Sequence, residues 1–128
     1  MMRTVVAVVF ALFTFTMGCN FLVDLVSDTA KPFYVDMVFF NQSTSTLIHM
    51  TRRGETKRLQ VIGEACNWKR TFVRVYTDTG RGRGKDALIS SSFLDGVGVL
   101  NYVVGDDLQP RMKMRAGVAC GFGDCGHG

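Results

Sequence analysis

The chain is 128 residues long, 47% apolar and 20% charged, with 14 Gly, 2 Pro and 4 Cys. Those figures allow one domain and exclude a disordered chain, a collagen-like repeat and a miniprotein packed with disulfides. The 15 Lys plus Arg against 11 Asp plus Glu leave a formal net charge of +4, which is ordinary for a small soluble domain and does not call for nucleic acid as a partner.

The N-terminus has the three parts of a secretory signal: Met1, Met2 and Arg3, an apolar stretch from Val5 to Met17, and small residues at Thr16 and Gly18. Residues 1–18 are therefore expected to be removed, leaving a mature chain of about 110 residues that begins at Cys19. Three other readings compete. The uncharged run of 20 residues from Thr4 to Val23 is long enough to span a bilayer, so a membrane anchor at the cell surface is the alternative localisation. Thr16-Met17-Gly18-Cys19 loosely fits a lipobox, which would make the chain a lipid-anchored lipoprotein. A buried core helix is disfavoured by the terminal position and the Val and Phe content. Cysteine parity favours plain secretion. With Cys19 free of lipid, Cys19, Cys66, Cys120 and Cys125 can form two bridges, in any of three connectivities.

Residues 19–32 read as an N-terminal extension, with a turn or two of helix over 24–31. From residue 33 the periodicity is two. Phe33, Val35, Met37 and Phe39 share one face of a strand over 33–40, and residues 46–51 form a second. Between them, Asn41-Gln42-Ser43 is a glycosylation sequon at a loop tip, which makes Asn41 a modification candidate in a eukaryotic secretory route.

Further strands are expected over 57–66, with Leu59 and Val61 facing together, and over 71–77, where Phe72 and Tyr76 flank Arg74 opposite Val73 and Val75. A Gly-rich polar loop covers 78–86. A short strand or a turn of helix follows over 87–93 and a strand over 99–104, separated by a turn at 95–98. Met112 and Met114 alternate with Arg111, Lys113 and Arg115 on a last strand. Six to eight short strands at this spacing indicate a small antiparallel sandwich or barrel spanning residues 33–120. A Gly-rich tail, 121–128, is expected to be irregular.

Several segments share an order with a known family. Val61-x-Gly63 then Cys66, Val73-x-Val75-Tyr76, Asp78-x-Gly80, Asp86-x-Leu88-Ile89, Asp95-x-x-Gly98-x-Leu100-x-Tyr102, Gly105, Pro110-x-Met112-Lys113-Met114 and Cys120 together resemble the nematode transthyretin-like family. The resemblance runs from Lys57 to Cys120, about half the chain. Leu94 stands where the family has Thr, Leu100 where it has Phe, and residues 33–51 add about two strands that the family usually lacks. The resemblance implies an all-β, prealbumin-like sandwich with an extra N-terminal strand pair, and a hairpin turn at Asp95 to Gly98. It would also bring Cys66 and Cys120 together, closing about 54 residues for about 3–4 kcal/mol. Cys19 would then pair with Cys125.

Catalytic patterns are few. Asp78-Thr79-Gly80 matches the triplet of aspartic proteases, but Arg81, Arg83 and Lys85 crowd it and turn chemistry explains it. Cys120, Asp124, Cys125 and His127 could ligate a metal, yet oxidised sulfurs are not thiolates. His49 has no nucleophile or paired acid at useful spacing. The transthyretin-fold enzyme that hydrolyses hydroxyisourate ends in Tyr-Arg-Gly-Ser, whereas this chain ends Cys125-Gly126-His127-Gly128. The expectation is a secreted binding or bridging protein with no enzyme activity, cofactor, metal or nucleic-acid partner.

Two surfaces could do the binding. Arg52, Arg53, Lys57 and Arg58 bracket Gly54, and Arg81, Arg83 and Lys85 alternate with glycines. These basic loops suit anionic phospholipid, a sulfated glycan or a receptor patch. Alternatively the protein is a small toxin or effector that grips a specific protein through Trp68, the only Trp of the chain.

Overall fold

The computed structural model describes residues 18–125. Eight strands follow in order: β1 (Gly18–Ser27), β2 (Phe33–Val38), β3 (Ile48–Met50), β4 (Thr56–Glu64), β5 (Thr71–Asp78), β6 (Arg83–Ser92), β7 (Leu94–Val104) and β8 (Pro110–Cys120). They make two four-stranded sheets, the first ordered β4-β1-β7-β8 and the second β3-β2-β5-β6. One core joins the sheets, so the expected all-β sandwich is the architecture. It is not wholly antiparallel, because β1 runs parallel to β7. No helix among the described residues is long and apolar enough to cross a membrane.

The period of two decides what is buried. Phe33, Val35 and Met37 from β2 and Val73 and Val75 from β5 point inward and are inaccessible or nearly so. They meet Val61 of β4 and Leu94, Leu100, Tyr102 and Val104 of β7. The Tyr102 hydroxyl, deep in the sandwich, is 3.3 Å from the Ser92 hydroxyl.

Several expectations are corrected. Residues 19–32 are not an extension. Cys19, Phe21, Val23, Leu25 and Ser27 line the core, and β1 occupies an interior position between β4 and β7. The helix expected over 24–31 is the end of that strand followed by a short connection.

The turn at 95–98 is strand. β6 passes into β7 with only Phe93 between them, and the chain crosses from one sheet to the other there. Asp95 and Gly98 then lie within β7, at a bulge against β8 between Gly96 and Val99. The glycines allow close approach rather than reversal: a Cβ on Gly98 would overlap the carbonyl oxygen of Ala116, and one on Gly117 that of Val97.

A second shift of register, between Asn101 and Tyr102, places Met112 opposite inward-facing Tyr102 but Met114 opposite Asn101. The bulge resets the alternation, so Met114 is half exposed on the outside.

The disulfides are Cys19–Cys66 and Cys120–Cys125, not the expected Cys66–Cys120 and Cys19–Cys125. Register explains this. Cys19 lies opposite Gly63 in the β1–β4 ladder, and the turn after β4 returns Cys66 to within 6.3 Å, Cα to Cα. Cys120 ends β8 on the far edge of the same sheet, three strand spacings or about 14 Å from β4. A bridge needs Cα atoms within about 7 Å. Bonded to Cys66, the Cys19 sulfur is not free for a lipid thioether. The rest of the leader, residues 1–17, lies outside the described residues, as does residue 127 of the tail.

Candidate functional site

The connections divide between two ends of the sandwich with different chemistry. At one end gather the β2–β3 loop, the β4–β5 loop, the β6–β7 crossing and the segment after β8. At the other gather the β1–β2, β3–β4, β5–β6 and β7–β8 connections.

The first end is aromatic and holds both disulfides. Trp68 is 80% exposed and Phe122 is 92% exposed. Ile62 and Val97, also exposed, flank Asn20 in one cross-strand row at this end of the first sheet. Trp68 closes a turn in which its amide donates to the Ala65 carbonyl at 3.2 Å. Ala65 there has φ of 57°, beside Cys66 and its bridge. Phe122 has φ of 58° inside the loop closed by Cys120–Cys125. Gln42 in the β2–β3 loop, at φ of 70°, is a third left-handed residue at this end. Such backbone is costly for residues with a side chain and persists only where the surroundings impose it.

Between these loops lies a cleft of about 440 Å³. Val38 of β2 and Phe72 of β5 are paired neighbours on the outer face of the second sheet and form its floor. Phe39, Gln42, Trp68, Lys69, Arg70 and Phe93 form its walls and rim. Arg70 is fixed: its guanidinium lies 4.7 Å over the Phe93 ring, donates to the Ser91 carbonyl and hydroxyl at 3.3 Å, and reaches Asp124 at 3.4 Å. Phe93 in turn meets Phe122 edge to face at 5.4 Å. Lys69 has no ion-pair partner among the described residues.

Asn41 is at the same end. Its side-chain oxygen accepts from the Ser43 amide at 3.0 Å and the Ser43 hydroxyl at 2.6 Å, an Asx turn on an exposed loop.

The second end is charged, and its cations do not form one patch. Arg53 lies between Asp28 at 3.5 Å and Asp106 at 4.0 Å. Arg58 grips Asp24 through two bonds of 2.7 and 3.0 Å, which hold the Asp24 carboxyl below its ordinary value. Arg83 lies 4.3 Å over the Tyr76 ring, and it and Lys85 belong to β6 rather than to a loop. The expected loop over 78–86 contracts to the turn 79–82, leaving Arg81 at its tip. Arg52, Lys57, Arg81 and Lys85 have no ion-pair partner among the described residues.

Asp78, first of the protease-like triplet, has both oxygens occupied. One accepts from the Gly80 amide at 2.8 Å and the other lies 2.7 Å from His49 Nε2, and these two contacts lower its pKa in that order. His49 also stacks on Tyr34, ring centroids 4.2 Å apart. This is turn and strand-edge chemistry.

Among the described residues no group of three or more His, Cys, Asp and Glu side chains is placed to hold a metal. Sequence reasoning singled out Trp68, Asn41 and the cysteines of the aromatic end, but not Phe93, Phe122, Lys69 or the cleft. The cleft depends on the sheet crossing at Phe93 and on the loops after β2 and β4, and none of these leaves a periodic signal. No protein-family model matches the chain, and no curated protein matches its sequence.

Proposed function

We propose that the protein is a secreted, non-enzymatic binding protein of transthyretin-like type that engages a protein receptor through its aromatic end. The observation that carries this reading is Trp68, 80% exposed, beside an apolar cleft on a surface anchored by two disulfides. A large exposed aromatic on pinned backbone is the anatomy of an interface anchor, because little conformational freedom is lost on binding. Support for the family type comes from the shared order of the resembling segments between Lys57 and Cys120 in the sequence. Support for export comes from the leader composition and from two disulfides, which persist in oxidising compartments.

The test is retention of a partner from the fluid or cell surface that meets the protein. Trp68→Ala should lose the retained species, while Arg81→Ala and Lys85→Ala keep it. Retention unaffected by Trp68→Ala would sink the reading.

A second reading has its own observation. Arg52, Lys57, Arg81 and Lys85 are exposed at the charged end, have no ion-pair partner among the described residues and suit an anionic phospholipid surface. Co-sedimentation with anionic liposomes that falls with salt, and falls again in Arg81→Ala, would favour it.

A further inference from the structure

We propose that the cleft beside Trp68 binds one molecule of an amphipathic anion, an apolar chain or ring bearing a carboxylate. The apolar body would lie on Val38, Phe39, Phe72 and Phe93, and the carboxylate would meet Lys69. At about 440 Å³ the cleft falls within the range of small-molecule sites, about 300–1,000 Å³. Its floor belongs to β2 and β5, interior strands of their sheet, so it is preformed.

Charge selects the head group. Arg70 is engaged by Asp124, Ser91 and the Phe93 ring. Lys69 is exposed and has no ion-pair partner among the described residues, so it offers the cleft a positive charge beside an apolar floor. A cation would be repelled there and a neutral alcohol would leave the ammonium unused. A single molecule fits better than a bilayer surface, because Val38 and Phe72 lie on the floor of a concavity that a flat surface does not fill.

The proposal rests on the preceding reading only in taking the aromatic end as the working face. Ligand binding is measured on the isolated protein, whereas receptor capture is measured without added amphiphile, so each can fail alone. Trp68 is the only Trp, and its emission reports the site. Dodecanoate, kept below its micellar range, should shift that emission saturably to the blue as the ring is covered, and dodecanol should bind more weakly. Lys69→Glu should weaken dodecanoate about tenfold and leave dodecanol unchanged. Val38→Phe, narrowing the cleft from its floor, should lose both ligands while a thermal melt reports whether it folds. Lys69→Glu changes an exposed side chain and tests the proposal if Val38→Phe does not fold. The proposal is overturned by no saturable response to dodecanoate, by equal affinity for the alcohol that Lys69→Glu does not alter, by a folded Val38→Phe that binds unchanged, or by a response to phosphatidylglycerol vesicles alone.

Discussion

The two ends of this sandwich are closed by different means. At the aromatic end covalent bonds fix short loops in costly conformations and leave Trp68 and Phe122 in water. At the charged end ionic and hydrogen bonds tie loops to one another. Thr29 donates to Asp106 at 2.7 Å, Lys31 reaches the Asp106 carbonyl at 2.8 Å, and Arg111 meets Asp107 at 2.7 Å. Exposed ion pairs contribute little each and respond to salt and pH, whereas a disulfide does neither. The difference teaches where rigid recognition can be built on a domain this small: the covalent end can hold bare aromatic rings in place.

The largest break in this contrast should come from Cys19. Replacing Cys19 and Cys66 by Ser opens a loop of 47 residues and should cost about 4 kcal/mol in a denaturant titration. Removing Cys120–Cys125, with a separation of 5, should cost about 2 kcal/mol by the same chain-entropy reasoning. The second change should nevertheless disturb the aromatic end more selectively. Phe122 and Asp124 lie inside that loop, so Arg70 loses its carboxylate and Phe93 its edge-on ring. Equal losses of stability for the two bridges would contradict the loop-length account.

Between the ends, Arg74 donates two bonds of 2.8 Å to Asp36, which is 6% exposed although it lies on an outer sheet face. Arg74→Ala should cost about 2 kcal/mol by leaving that carboxylate covered and unpaired. Trp68→Ala should move stability by less than about 0.5 kcal/mol, because an 80% exposed ring has little to lose on unfolding. A melting curve displaced well beyond that would mean that Trp68 braces the loop rather than waiting for a partner.

The alternation of Phe33 to Met37 and of Val73 to Val75 made two strands and their inward faces readable from sequence. β1 was not readable, although Cys19, Phe21, Val23 and Leu25 alternate as clearly, because the uncharged run that marks the leader continues to Val23 and hides the change of period. Met114 was misread because a bulge inserts one residue without altering composition, so the alternation beyond it points the other way. Asp95 to Gly98 was misread because glycines that permit a bulge and a close approach look, in sequence, like those of a reversal. The disulfide partners depended on strand order, which local pattern does not carry. Of the aromatic end, Trp68 was visible as a lone residue type. The cleft appeared only once the crossing at Phe93 brought residues of β2, β5 and two loops together.

Acid gives the finest division between the ends. Four carboxyls held below their ordinary range belong to the charged end: Asp24 through Arg58, Glu55 through the Thr51 amide, Asp78 through the Gly80 amide, and Asp107 through Arg111. Asp107 is lowered from 3.8 to about 2. A carboxyl depressed in the folded state stabilises fully above its unfolded value, and that contribution is lost as pH falls through the folded one. Asp107 and Arg111 are both about half exposed, so their effect should be small and further reduced by salt. Between pH 3.8 and about 2, amides of the β7–β8 turn should therefore begin to exchange faster, as should those of the β3–β4 turn once pH falls below 4.5, the ordinary value of Glu55, while those around Cys66 and Cys120 keep their protection. Asp107→Asn should flatten the acid limb at the β7–β8 turn, since Asn cannot gain the proton that breaks the pair with Arg111. Acid that loosened both ends together would mean that they are not independently held.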